Sequence, residues 1–199
     1  TPDEPDTDEL LRKVRLALLG GARVLQYRNK TAGKAVHLEQ ARALRELVHE
    51  FAVPLIINDD VMLAHGVAAD GVHLGGSDGS VADARAVLGS GKLIGMSCYN
   101  RLPLAHEAVN CGADYVAFGS FFVSTVKPAA VAATPDLLRQ ARREIAVPLV
   151  ARLTQPPFPA SAMDGYAVRA ADASAGARLR VTGESAAGHR FAGAVGAGE

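Results

Sequence analysis

The 199-residue sequence has no tryptophan, only two cysteines, and lysine at only five positions: Lys13, Lys30, Lys34, Lys92 and Lys127. Cys98 and Cys111 cannot build a disulfide framework and show no metal-ligand spacing, a usage that suits a reducing cytoplasm. No apolar run approaches the ~20 residues a membrane helix needs. The opening "TPDEPDTDEL" is acidic and does not read as a signal peptide. Basic and acidic residues number 21 each, for a formal net charge of zero. That balance provides no field for nucleic acid or an anionic membrane. No G-x-G-x-x-G follows a candidate strand, so a dinucleotide site has little support.

What the sequence does have is hydrophobic residues, 49% of the total, and a repeating pattern. Short apolar runs end in polar or glycine residues and alternate with helical stretches. The runs are Ala22–Arg28, Pro54–Asp59, Asp70–Gly75, Lys92–Ser97, Asp114–Ser120 and Val147–Ala151. Between them, apolar residues at i, i+3, i+4 spacing predict helices over His37–Phe51, Val61–Ala68, Val81–Leu88, Arg101–Cys111 and Pro135–Ile145. A further helix is expected over Asp6–Gly21, with Thr7 or Asp6 as its N-cap. Nearly all-apolar strands suit a parallel sheet covered on both faces. The short loops "GGA", "AAD" and "CGAD" each end a helix in small residues just before a strand. The expected class is therefore α/β, with a (β/α)8 TIM-type barrel favoured over an open doubly wound sheet.

In a barrel the C-terminal strand ends converge on one face. Those ends carry Gln26, Arg28 and Lys30; Asn58, Asp59 and Asp60; Ser77 and Asp78; Ser97; and Ser124, Thr125 and Lys127. Arg and Lys neutralise phosphoryl oxygens. Two carboxylates from different strands can hold a hard cation such as Mg2+, which shares its shell with water and phosphate. A diphosphate with Mg2+ satisfies both charge signs. Taken singly, Asp59 or Asp60 could merely cap the helix that starts at Val61, and Arg28 and Lys30 could belong to a solvated loop. His73 reads as a satisfied core histidine, and Cys98 as small-residue packing rather than a nucleophile.

The stretches "LQYRNK" (Leu25–Lys30), "IINDD" (Ile56–Asp60), "DGVHLGGSD" (Asp70–Asp78), "GMSCYN" (Gly95–Asn100) and "GADYVAFGSFFVSTVKP" (Gly112–Pro128) carry a resemblance to thiamine phosphate synthases over about residues 1–151. The resemblance implies a (β/α)8 barrel. It also implies a transferase that joins an aminopyrimidine diphosphate to a thiazole phosphate, releasing diphosphate. It assigns the pyrimidine diphosphate to Gln26, Arg28, Lys30, Asn58 and Ser97, Mg2+ to Asp59 and Asp78, the diphosphate also to Lys127, and thiazole-phosphate binding to the loop with Ser124, Thr125 and Val126. Val126 stands where the family tends to have threonine, which weakens or shifts thiazole-phosphate binding. The family's first strand would precede Thr1, and its glycine-rich phosphate loop, last helix and last strand would follow Ala151. None of these parts is evident in the sequence.

After Ala151 the pattern changes. "PPFPASAMDGYA" (Pro156–Ala167) and "GESAAG" (Gly183–Gly188) resemble molybdopterin molybdotransferases, in which the aspartate matched by Asp164 lies at the active site. Two domains are therefore expected: a synthase-like barrel over 1–151 and a molybdotransferase-like fragment over 152–199, Gly/Ala-rich, with candidate strands at Tyr166–Ala170 and Ala177–Val181. Small-molecule substrates are expected as partners, and uncovered strand edges offer a route to a homo-oligomer. Two other readings stay open: a non-catalytic chimeric or truncated protein, and a role in molybdenum cofactor biosynthesis.

Overall fold

Each apolar run becomes a strand, and the strands pair in chain order. The computed structural model describes residues 1–121 and 132–151. These form α1 (Thr7–Leu19), β1 (Leu25–Tyr27), α2 (Lys34–Glu50), β2 (Leu55–Asn58), α3 (Val61–Gly66), β3 (Gly71–Leu74), α4 (Val81–Leu88), β4 (Leu93–Tyr99), α5 (Leu102–Asn110), β5 (Tyr115–Phe118), α6 (Pro135–Glu144) and β6 (Leu149–Ala151). The six strands make one parallel sheet in the order β1-β2-β3-β4-β5-β6, curled into a half-barrel. A helix lies between every successive pair, as parallel pairing requires. The expected strands in Tyr166–Ala170 and Ala177–Val181, and Asp164, lie outside the described residues.

Helix starts follow side-chain chemistry. Asp6, Asp60, Ser80 and Thr134 each accept a hydrogen bond from the backbone N–H three residues on, at the heads of α1, α3, α4 and α6. Between Asp59 and Asp60, then, the cap is Asp60.

The pleat sorts each strand into two faces. Leu25 and Tyr27, Leu55 and Ile57, Val72 and Leu74, Ile94 and Cys98, and Val116 and Phe118 all join one core cluster. Leu10, Val14 and Leu18 of α1 and Ala41, Leu44, Leu47 and Val48 of α2 pack into the same cluster. The other parity faces inward. The register aligns Gln26 with Ile56, Asn58 with His73, His73 with Gly95, and Gly95 with Tyr115. Ile56 and Ala117 are buried but stand apart from the outer cluster. The helices thus bury an apolar outer face, and the interior is partly polar.

At the N-terminal ends of the strands, the recurring aspartates act as clasps. Asp70 Oδ2 accepts the Leu55 N–H at 2.8 Å, while the Asp70 N–H donates to the Leu55 carbonyl at 2.9 Å. Asp114 repeats this with Ile94, at 2.7 and 2.8 Å, and its Oδ2 also accepts from Arg85 Nη2 at 2.6 Å. Each aspartate satisfies the backbone of a strand head that has no ladder partner yet. Pro54 and Pro148 precede β2 and β6, and there only a carbonyl is used, accepting from Leu25 and Val116. Close strand approach also needs Gly71, where a Cβ would lie 2.1 Å from the Leu93 carbonyl oxygen. Asp114→Ala should lower stability by about 2 kcal/mol, the scale of a lost charge-assisted hydrogen bond to a partly buried backbone. Chemical denaturation checks this, with Asp136→Ala, whose side chain is 87% exposed, expected to stay within about 0.5 kcal/mol of the parent.

Candidate active site

The same pleat that fills the core also aims the polar residues. From Leu25 to Lys30 burial alternates: Leu25, Tyr27 and Asn29 are buried, while Gln26 is half-buried and Arg28 and Lys30 are exposed. Q-x-R-x-K is thus period-2 spacing that sends three side chains to one face. On the opposite face Asn29 must be satisfied internally. Its Nδ2 donates to the Glu4 carbonyl at 2.9 Å and to Gln40 Oε1 at 3.2 Å, and its Oδ1 accepts the Thr31 and Ala32 N–H groups. Gln40 is fully buried; it accepts from the Tyr27 hydroxyl at 2.8 Å and donates to the Glu4 carbonyl at 2.8 Å. This network pins the loop that presents Arg28 and Lys30. Sequence reasoning missed Asn29 and Gln40, although Gln40 stands beside Ala41 and one turn before Leu44 on an apolar stripe.

Asp3 was also missed. Its Oδ1 accepts the Lys30 N–H at 2.9 Å and lies 3.4 Å from Arg28 Nη1. It belongs to the stretch beside the free edge of β1, where Thr1 Oγ1 accepts the Arg28 N–H at 3.0 Å.

On β2, Asn58 faces inward and its amide has no hydrogen-bond partner among the described residues. Asp59 follows in the left-handed region, with φ at 66°. Its N–H donates to the His73 carbonyl at 2.8 Å, and its carboxylate pairs with Lys30 Nζ. A cleft of about 140 Å³ is lined by Arg28, Lys30, Asn58 and Asp59. Beyond β3, Asp78 Oδ2 accepts the Gly75 N–H at 2.9 Å. The same loop is held from β4 by Tyr99, whose hydroxyl accepts the Gly76 N–H at 3.0 Å and whose φ is 54°. Asp59 and Tyr99 thus take left-handed conformations at the ends of β2 and β4, as Ala52 and Ala68 do in the loops before β2 and β3.

Ser97 is buried, with its Oγ 2.8 Å from His73 Nε2. His73 is buried too, and its Nδ1 lies 3.0 Å from the Tyr115 hydroxyl. Cys98 points into the outer core, where burial pushes its thiol up to about 12; it stays protonated near neutrality, which agrees with packing rather than nucleophilic work. Ser124, Thr125, Val126 and Lys127 lie outside the described residues.

A larger cleft, of about 300 Å³, runs along Asn100, Thr134, Asp136 and Gln140. It holds none of the residues expected from the sequence and borders the undescribed segment, so the converging charges are the better guide to chemistry. Among the described residues no three His, Cys, Asp or Glu side chains gather to hold a metal ion, and no helix is long and apolar enough to cross a membrane. Asp59 and Asp78, both hard oxygen donors, fit a cation that completes its shell with phosphate and water.

Comparison with known proteins addresses the family of the chain. The thiamine monophosphate synthase family matches residues 1–152. A second match, to the MoeA N-terminal region (domain I and II), covers residues 116–199 and so overlaps the first. Thiamine-phosphate synthases from Nitrosospira multiformis and Thiobacillus denitrificans are 54% and 51% identical over 151 residues. Each alignment covers 76% of this chain, and 64% and 72% of the respective relative. The chain thus spans somewhat less than two thirds of the first of these. The solved thiamine phosphate pyrophosphorylase from Pyrococcus furiosus superposes with a TM-score of 0.65 at 35% identity, over 71% of this chain and 67% of that one. With the family match extending over most of its length, the chain belongs to the thiamine monophosphate synthase family.

Proposed function

We propose that the chain binds an aminopyrimidine diphosphate together with Mg2+ and joins the pyrimidine to a thiazole phosphate, releasing diphosphate. The observation that carries this reading is the meeting of Arg28, Lys30, Asn58 and Asp59 in one cleft, with Gln26, Asp78 and Ser97 on or just beyond β1, β3 and β4. In the reaction the methylene C–O bond to diphosphate breaks, the electron pair leaves with the diphosphate, and the thiazole nitrogen forms a new C–N bond. No proton need be removed to balance it. The demand on the protein is to neutralise the leaving group, which suits two cations better than a general base. Arg28 offers a fork and Lys30 a point charge to the phosphoryl oxygens. Asn58 and Gln26 offer amides that orient the substrate. Bound at Asp59 and Asp78, Mg2+ would supply Lewis-acid stabilisation of the departing diphosphate. Before binding, Lys30 and Asp59 neutralise each other; the diphosphate would give Lys30, and Mg2+ would give Asp59, a new partner of opposite charge.

The half-barrel is read as the greater part of a (β/α)8 barrel. After Ala151 the phosphate loop, last helix and last strand give way to residues 152–199, a molybdotransferase-like fragment. The second family match supports that reading and also keeps a non-catalytic chimera as the competing one. Work in the cytoplasm is supported by the two free cysteines. Self-association is proposed on the sequence argument about strand edges alone.

Calorimetric titration of the full chain with the aminopyrimidine diphosphate and Mg2+ should give saturable binding. Arg28→Ala and Asp59→Ala should each weaken it by about tenfold or more, the loss expected when one charged contact goes; a flat titration of the parent chain rejects the site. Affinity for the thiazole phosphate should be the weaker of the two, measured by the same titration. Thiamine phosphate formation that is abolished by Asp59→Ala would exclude the chimera without activity, whereas substrate binding with no turnover would favour it.

A further inference from the structure

We propose that Tyr115 and His73 are positioning residues that hold Ser97 as a hydrogen-bond donor toward the bound pyrimidine; the inference rests on the substrate reading above and deepens it. The three side chains come from β5, β3 and β4 and meet inside the half-barrel. Tyr115 reaches His73 because Gly95 lies between them in the same row: a Cβ on Gly95 would sit 2.0 Å from the Tyr115 ring. The phenol ring therefore leans across β4 and stacks on the imidazole, with centroids 5.5 Å apart and planes 23° from parallel.

The hydrogen bonds have a direction. Burial pushes the Tyr115 hydroxyl up to about 12, so the phenol keeps its proton. Among the described residues its hydrogen-bond partner is His73 Nδ1. A phenol is the better donor of the pair, and donating to Nδ1 makes that nitrogen the acceptor. A neutral imidazole then carries its proton on Nε2. Nε2 lies 2.8 Å from Ser97 Oγ, and in this tautomer it donates to it. The proton of Ser97 is thus not spent on His73 and can be given to a bound substrate. In the opposite tautomer Ser97 would give its proton to His73 and present only lone pairs.

An aminopyrimidine can answer either polarity: its ring nitrogens accept and its exocyclic amine donates. With Tyr115 in place, Ser97 reads a ring nitrogen. Tyr115 and His73 act only through Ser97, and no proton changes hands in the chemical step.

The test uses the full chain with ring-15N histidine, compared with Tyr115→Phe and Ser97→Ala. The His73 signals are identified by their loss in His73→Gln. In the parent chain the Nδ1 resonance should fall in the unprotonated range and Nε2 in the protonated range, and Tyr115→Phe should move both toward a tautomer mixture. A parent chain with the proton on Nδ1 overturns the proposal. In parallel, calorimetry compares the aminopyrimidine diphosphate with inorganic diphosphate, each with Mg2+. Tyr115→Phe and Ser97→Ala should each weaken the first by about tenfold, the scale of one hydrogen bond to a desolvated partner, and leave the second unchanged. Unchanged affinity for the aminopyrimidine diphosphate, or equal losses for both ligands, overturns it as well. If the parent chain binds inorganic diphosphate but gains nothing from the pyrimidine, the substrate reading fails, while the tautomer result still decides whether Tyr115 controls His73.

Discussion

Parallel pairing in chain order imposes a strict two-sidedness, and the rest of the structure depends on it. Each strand must give one parity of side chains to the helices, because that is where the apolar area can be removed from water. The other parity is thereby committed to the interior, whatever its chemistry. Leu25 and Tyr27 go outward, and Gln26 and Arg28 have no choice but to go the other way. The same holds across the sheet for Ile57 against Asn58, and for Val72 and Leu74 against His73. Function here follows from core packing: a slip of one residue in any strand would bury the charges and expose the core.

This also explains how far a reading of the sequence could go. Strand positions, helix positions and the charged ends were legible because they follow periodicity, and the six apolar runs all became strands, five of them trimmed at an end and the fourth running on from Ser97 to Tyr99. Thus Ala22–Arg28 contributes only Leu25–Tyr27. Charge type at strand ends was enough to anticipate Arg28, Lys30, Asn58 and Asp59 in one place. What stayed hidden was contact between residues distant in the chain. Nothing local to Asp3 says that it accepts the Lys30 N–H, and nothing around Gln40 names Asn29 as its partner. The ambiguity between Asp59 and Asp60 is settled only by backbone geometry, where one aspartate closes a helix and the other turns back through a left-handed conformation toward Lys30.

The two ends of the sheet divide the labour. At the N-terminal end, Asp70 and Asp114 spend their charge on backbone groups, and Arg85 joins Asp114, so these carboxylates serve stability. At the C-terminal end, the Asp59 and Lys30 side chains pair with each other among the described residues, and such a solvent-accessible pair contributes little to folding. Replacing it with a ligand therefore costs little. The buried polar groups between the two ends, His73 and Ser97, are bonded to each other, and His73 also to Tyr115, which keeps these polar side chains in place inside the half-barrel.

Cys111 closes α5 at the N-terminal end of the sheet and is exposed, while Cys98 is sealed in the outer core with its proton firmly held. The chain has no other thiol. A maleimide dye should therefore couple at a single position, on the face away from Arg28, Lys30 and Asp59. Such a label makes the molecule addressable for fluorescence or surface tethering with its charged cleft left open to solution.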